Sequence, residues 1–402
     1  MMKRRTFISA LGTAATTSLI FPFGCKEAIP KDVKINRIVK LSIPTYRPKY
    51  VGKNSRIDDH TDQSRDVAIR VYASNGMSGL GPFRGTDEDL QKLVGSTLLE
   101  WYIADEKSIK VGNRGTTAFW DLLGKYYEKP VWQLLRPAAR EKVPLYDGTI
   151  YFQDLLPDHA DNYMDQFKKE FDMGMEMGHN FFKMKVGRGS KWMEKQAGYD
   201  RDIEVLAACR EYLGPDIRIG VDANNGMDLE SSKKMLLDLP DFDFEFMEEM
   251  FPEVVATTKA LHDFIRDNGF DTLVADFESQ KEVEELRPFM EAGCIDILQG
   301  DMNQFGIEGI LAEAEMAKPY GGRVAPHNWG SMLGYYTQLH LGKVIENWYM
   351  AEQDWLTTPA ITAEGYSMQD GFTTVSDAPG FGLYINEQDL EKEAELLLDV
   401  KV

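Results

Sequence analysis

The sequence predicts an α/β protein in which a parallel sheet closes into a barrel, and three observations carry that expectation. From residue 146 to about 355, short apolar runs of strand character alternate with amphipathic helical runs, which is the pattern of a parallel sheet covered by helices. Polar residues close to the ends of those runs keep a beat: Asp222, Glu248, Glu278, Asp301, His327 and Glu352 succeed one another at roughly the 30-residue length of one barrel unit. No G-x-G-x-x-G follows a first strand, so an open dinucleotide-binding sheet loses its main support. In a barrel all C-terminal strand ends surround one mouth, and residues far apart in sequence meet there. An open sheet gathers only those at its switch point.

Taken in chain order, the first segment stands apart. "KRRTFISALGTAATTSLIFPFGC" has adjacent Arg4 and Arg5 before a short apolar stretch of small residues. Residues 1–30 therefore read as a twin-arginine export signal, too short and too polar for a transmembrane helix, with Cys25 a candidate lipid-attachment site. The expected location is outside the cytoplasm, periplasmic or as a membrane-anchored lipoprotein. Residues 33–145 are mixed. "VAIRVYASNGMSGLGPF" reads as a hairpin around Asn-Gly, and "TTAFWDLLGKYYEKPVWQLL" has apolar residues at helical spacing. "VPLYDGTI" opens the alternating region, whose strands are "FFKMKV", "IRIGVDA", "FEFMEEM", "TLVADFE", "IDILQGD", "RVAPHN" and "NWYMAEQ". Residues 361–402 close the chain. Cys209 and Cys294 sit in apolar settings and read as core fillers.

The chain has 402 residues and a formal charge of −20. Nucleic acid and anionic lipid surfaces are poor partners for it, since both need clustered lysine and arginine. A small anion captured by local cations or a metal is compatible with it.

Asp222, Glu248 and Glu278, from successive strand ends, suit a hard divalent cation such as Mg²⁺, which takes oxygen ligands. The competing reading is three separate helix caps. Asp301 and His327 occupy the next two strand ends, where a carboxylate can orient an imidazole and raise its basicity. In "HNFFKMKVG" Lys183 and Lys185 alternate to the same side of an apolar strand. Alone they read as a solvated edge. Set across the mouth from the carboxylates, with the Lys183 ammonium and a metal nearby to depress its pKa, Lys185 becomes a proton acceptor, and Lys183 a charged anchor for an anion. A base on each side of a bound anion, with a divalent cation between, describes proton abstraction next to a carboxylate.

With "AFWDLLGKYYEKPVWQLL", "FFKMKVG", "VDANNG", "PHNW" and "PGFGLYINEQDL" in place, the chain resembles the enolase superfamily, in its mandelate racemase subgroup. The resemblance implies a modified (β/α)₇β barrel, here residues 146–360. It also implies an α+β cap formed by residues 33–145 and the returning segment 361–402. It implies one Mg²⁺ held by Asp222, Glu248 and Glu278, and acid/base roles for Lys185 and for His327 oriented by Asp301. Substrate contacts fall to Lys183, Asn224 and Glu352. Three departures stand out: "EEMFPE" makes Glu249 a rival of Glu248, "ADFES" makes Asp276 a rival of Glu278, and Gly300 stands where proline is common. The expected reaction passes through an enediolate, with dehydration of a sugar acid to a 2-keto-3-deoxy acid first and racemisation, epimerisation or cycloisomerisation second. A metal-free barrel glycoside hydrolase is the competing class, though it needs neither the K-x-K strand nor the Asp–His pair. Specificity is expected in the cap loop carrying Tyr46, Arg47, Lys49, Arg56 and His60. The expected partners are a sugar-acid carboxylate and further copies of the chain in a homo-oligomer.

Overall fold

A computed structural model describes residues 33–103, 107–109, 115–159 and 161–402. The export segment, with Arg4, Arg5 and Cys25, lies outside them. Among the described residues no helix is long and apolar enough to cross a membrane.

The cap is built on a four-stranded antiparallel sheet in which Glu395–Lys401 lies beside Ile35–Val51, followed by Thr61–Ala73 and Ser78–Pro82. The Asn75-Gly76 turn joins the last two strands as the hairpin pattern predicts, with Gly76 at φ 87°. That angle costs a glycine nothing. Both chain ends therefore share one sheet. The helix Thr116–Tyr126 packs on it and is tied to the barrel through Glu308. That carboxylate accepts Trp120 Nε1 at 2.9 Å, Thr116 Oγ1 at 2.6 Å and the Ile109 N–H at 3.1 Å.

Eight parallel strands form the barrel: Val143–Ile150, Phe181–Lys185, Arg218–Asp222, Phe244–Glu248, Leu273–Asp276, Ile297–Leu298, Arg323–Val324 and Ala351–Gln353. We call them strands one to eight. Strand one begins at Val143, three residues before the boundary the sequence suggested. Strand eight pairs with strand one at Ala351 and Leu145. Val324 closes the ring, donating to Asn347 O at 3.0 Å and accepting the Tyr349 N–H at 2.7 Å.

The interior is layered, as alternation along inward-facing strands requires. Tyr146, Phe181, Phe246, Ala275, Ile297, Ala325 and Met350 form one buried apolar cluster inside the barrel. A Cβ on Gly220 would lie 2.7 Å from the Phe246 ring, so glycine is what fits that layer on strand three. Two residues further along each strand, the side chains that share the interior are Lys183, Asp222, Glu248, Gln299, His327 and Glu352. Strand one contributes Gly148 there, and a Cβ on it would lie 2.6 Å from Glu352 Oε1. A floor of apolar packing thus carries a ring of polar groups at the mouth. Strand five alone breaks the pattern: Phe277 takes φ 99° and turns its ring onto Phe289, 4.8 Å between centroids, and Glu278 follows.

Candidate active site

At the mouth, strands two, three, four and eight form one buried ionic cluster. Lys183 Nζ lies 2.6 Å from Glu248 Oε1, 2.8 Å from Glu352 Oε1 and 3.3 Å from Asp222 Oδ2. Lys185 Nζ pairs with the same Asp222 Oδ2. The two lysines of strand two are buried and face carboxylates, which removes the solvated-edge reading. Burial favours neutral Lys185, but the charges of Asp222, Tyr151 and Glu278 together hold the ammonium above its ordinary pKa. That is the reverse of the depression expected from sequence. The partners are the reason: Asp222 is itself held low by Lys185 and Lys183 against burial.

Strand seven carries His327. Its Nδ1 lies 2.8 Å from Asp301 Oδ2 and its Nε2 lies 3.2 Å from Glu278 Oε2. Asp301 also accepts from the Gln304 N–H at 2.7 Å, capping the next helix, and from Arg84 Nη1 at 3.2 Å. Burial opposes the charge on His327, yet Glu278, Asp301 and Glu352 together push it up to about 10. The imidazole is therefore an imidazolium at neutral pH, a proton donor in this arrangement.

The carboxylates outnumber their counter-charges. Burial and the neighbouring Asp222 and Glu352, against the pull of Lys183, push Glu248 up to about 8. Burial and the charges of Glu278, Asp222 and Asp276 push Glu249 up to about 10, and burial with Glu253 raises Asp276 well above a normal carboxylate. Ligand oxygens of Glu249, Glu253 and Asp276 all lie within 4.8 Å of one another. Asn224 donates to Glu249 at 3.3 Å while its own buried Oδ1 has no partner. A pool of hard oxygen donors short of positive charge fits a divalent cation such as Mg²⁺. Among the described residues that close group is made by the rivals Glu249 and Asp276 with Glu253, while Asp222, Glu248 and Glu278 reach it through their charges on Glu249.

Several groups here were not singled out in the sequence. Gln299 Nε2 donates to Glu248 Oε2 at 2.6 Å; its place two residues beyond Ile297 on an inward face is the signal that finds it. Lys185 Nζ sits 4.9 Å above the Tyr151 ring, which stacks on Trp329 at 4.9 Å. The cap contributes His60, edge-on to Tyr151 at 4.8 Å, with burial, Lys185 and Arg47 lowering it to about 4. Cations of that loop are engaged elsewhere. Arg47 pairs with Asp354 at 3.1 Å and Lys49 with Glu170 at 2.7 Å, so both hold the cap to the barrel.

The family model described as "Enolase C-terminal domain-like" matches residues 166–389. The chain is 26% identical over 387 residues to the arabinonate dehydratase of Saccharolobus solfataricus, covering 87% of this chain and 98% of the relative. It is 27% identical to the D-galactarolactone cycloisomerase of Agrobacterium fabrum, covering 82% of this chain and 91% of that protein. Among solved structures, a mutant galacturonate dehydratase from Geobacillus sp. complexed with Mg matches with a TM-score of 0.85 at 27% identity. The match covers 94% of this chain and 99% of that one. The chain belongs to the enolase superfamily, in its mandelate racemase and muconate lactonizing branch.

Proposed function

We propose that this protein is a Mg²⁺-dependent sugar acid dehydratase that removes the α-proton of a carboxylate and expels the β-hydroxyl, giving a 2-keto-3-deoxy acid. The observation that carries the reading is the gathering of two proton-transfer groups, Lys185 and the Asp301-oriented His327, around one pool of carboxylates. Asp222, Glu248 and Glu278 would hold Mg²⁺, which supplies charge neutralisation at the substrate carboxylate. Lys183 binds and orients the same anionic end, and Glu352 and Asn224 make further contacts to the substrate. Lys185 Nζ takes the α-proton as the neutral amine, the form that its burial favours and its ion pair with Asp222 opposes. His327 Nε2 gives its proton to the departing hydroxyl, the Cβ–O bond breaks, and water leaves. The enol then tautomerises to the 2-keto acid. Asp301 keeps the Nδ1 proton of His327 in place, so that Nε2 faces the reaction.

The test is a screen of aldonic and uronic acids with Mg²⁺, read as carbonyl formation. Turnover that stops on chelation and returns with Mg²⁺ is expected; turnover that survives EDTA would favour a metal-free hydrolase. The likeness to a lactone cycloisomerase supports a second reading, elimination within a ring, which releases no water.

For the N-terminus our reading is twin-arginine export with acylation at Cys25, resting on Arg4, Arg5 and the short apolar stretch. Assembly into a homo-oligomer is tested by sedimentation velocity, where a single monomeric species would overturn it.

A further inference from the structure

Strand six is two residues long, and the three residues after it each carry a task. Gln299 holds Glu248 at 2.6 Å. Asp301 holds His327 at 2.8 Å and caps the following helix. Between them, Gly300 donates its N–H to Glu313 Oε1 at 3.0 Å. Glu313 is completely buried, and burial pushes it up to about 8, so it is a neutral carboxyl at pH 7. Among the described residues no cation pairs with it, and its Oε2 has no hydrogen-bond partner. A buried carboxyl of this kind is costly unless it performs a task.

Local geometry brings it there. The helix Met302–Ala317 breaks at Gly306, φ 64° and ψ −171°, which places Glu313 in the second turn after the break, facing the strand end. A Cβ on Gly300 would lie 2.4 Å from Phe305 Cδ2 and 2.7 Å from Glu313 Oε2. A proline at that position would have no N–H to donate. The glycine and the carboxyl fit only each other.

We propose that Glu313 is a positioning residue for the proton-transfer dyad: through the Gly300 N–H it fixes the segment that sets Asp301 against His327 and Gln299 against Glu248. The proposal rests on the dyad assignment above. It follows from the leverage of so short a segment, because a shift of about 1 Å at reacting groups costs on the order of 100-fold in rate.

The experiment compares Glu313→Gln, which keeps an oxygen acceptor for Gly300, with Glu313→Leu, which does not. Full-length protein carrying ¹⁵N-histidine and saturating Mg²⁺ is observed by NMR, and His327→Asn identifies the His327 resonances. The Nδ1 proton bonded to Asp301 is expected in wild type and in Glu313→Gln. In Glu313→Leu it should exchange with water more than tenfold faster. On the acid that wild type turns over fastest, kcat of the leucine variant should fall about 100-fold with KM little changed, and glutamine should rescue it. If the leucine variant does not fold, Glu313→Met replaces it. An unchanged Nδ1 proton in the folded leucine or methionine variant overturns the proposal, as does equal impairment by glutamine. Absence of that proton from wild type contradicts the Asp301–His327 bond itself. Wild-type turnover by His327→Asn would sink the dyad assignment whatever the Glu313 variants do.

Discussion

Replacing Glu313 by glutamine should change how stability depends on pH. The carboxyl is completely buried, and burial, against the pull of the Gly300 hydrogen bond, raises it from an ordinary 4.5 to about 8. Between those values the folded protein holds a proton that the unfolded chain has released. The sign follows from linkage: the stabilisation is fully present below the unfolded pKa and is lost as pH rises through the folded one. At about 1.4 kcal/mol per pH unit, the loss across the window is on the order of 5 kcal/mol. Glutamine fills the same space, accepts the same Gly300 N–H and does not titrate. Urea unfolding of both proteins at fixed Mg²⁺, from pH 5 to 9, gives the difference directly, because every other titrating group cancels. The wild type should lose stability relative to Glu313→Gln as pH rises, most steeply midway between the unfolded and folded values, and the curves should run parallel again above the folded one. Curves parallel across the whole range would refute the claim that this carboxyl is neutral in the folded protein.

Three further outcomes follow from the site and the N-terminus. Asp222→Asn should abolish Mg²⁺ binding and turnover while leaving the circular dichroism spectrum intact; unchanged affinity by calorimetry rejects that ligand. Asp301→Asn should lower kcat by about 10³ to 10⁴-fold with the fold retained, since an amide can leave His327 in the wrong tautomer; steady-state kinetics within tenfold of wild type would contradict the orienting role. Arg4→Lys with Arg5→Lys should strand the protein in the cytoplasm, and recovery of the double variant outside the cell by fractionation removes the twin-arginine reading.

Much of the barrel was legible because each strand announces itself twice, by an apolar run and by a polar residue at its end. The pairing of Asp301 with His327 followed from adjacency of strand ends, and the 2.8 Å contact is what adjacency predicts. Residues without charge were harder to find. Gln299 reads as an ordinary strand-end amide until the inward layer is drawn through Ile297. Strand five misleads in the other direction: alternation alone would send Phe277 inward, and only its left-handed backbone passes the place to Glu278. Sequence reveals that Lys185 faces carboxylates but not that Asp222 binds it directly, and that ion pair sets the direction of its pKa. The cap loop shows the same limit. Arg47 and Lys49 look available for a substrate, and they are tied instead to Asp354 and Glu170, partners more than a hundred residues away.

The central claim is that Lys185 removes the α-proton while His327 protonates the departing β-hydroxyl of the same substrate. It is tested most directly by α-proton exchange in D₂O, followed by NMR, for Lys185→Ala and His327→Asn on an acid the wild type dehydrates. Lys185→Ala should lose exchange and elimination together. His327→Asn should lose elimination yet still wash deuterium into the α-position, because its base remains. Wild-type turnover by Lys185→Ala, or exchange that depends on His327 instead, would contradict the account.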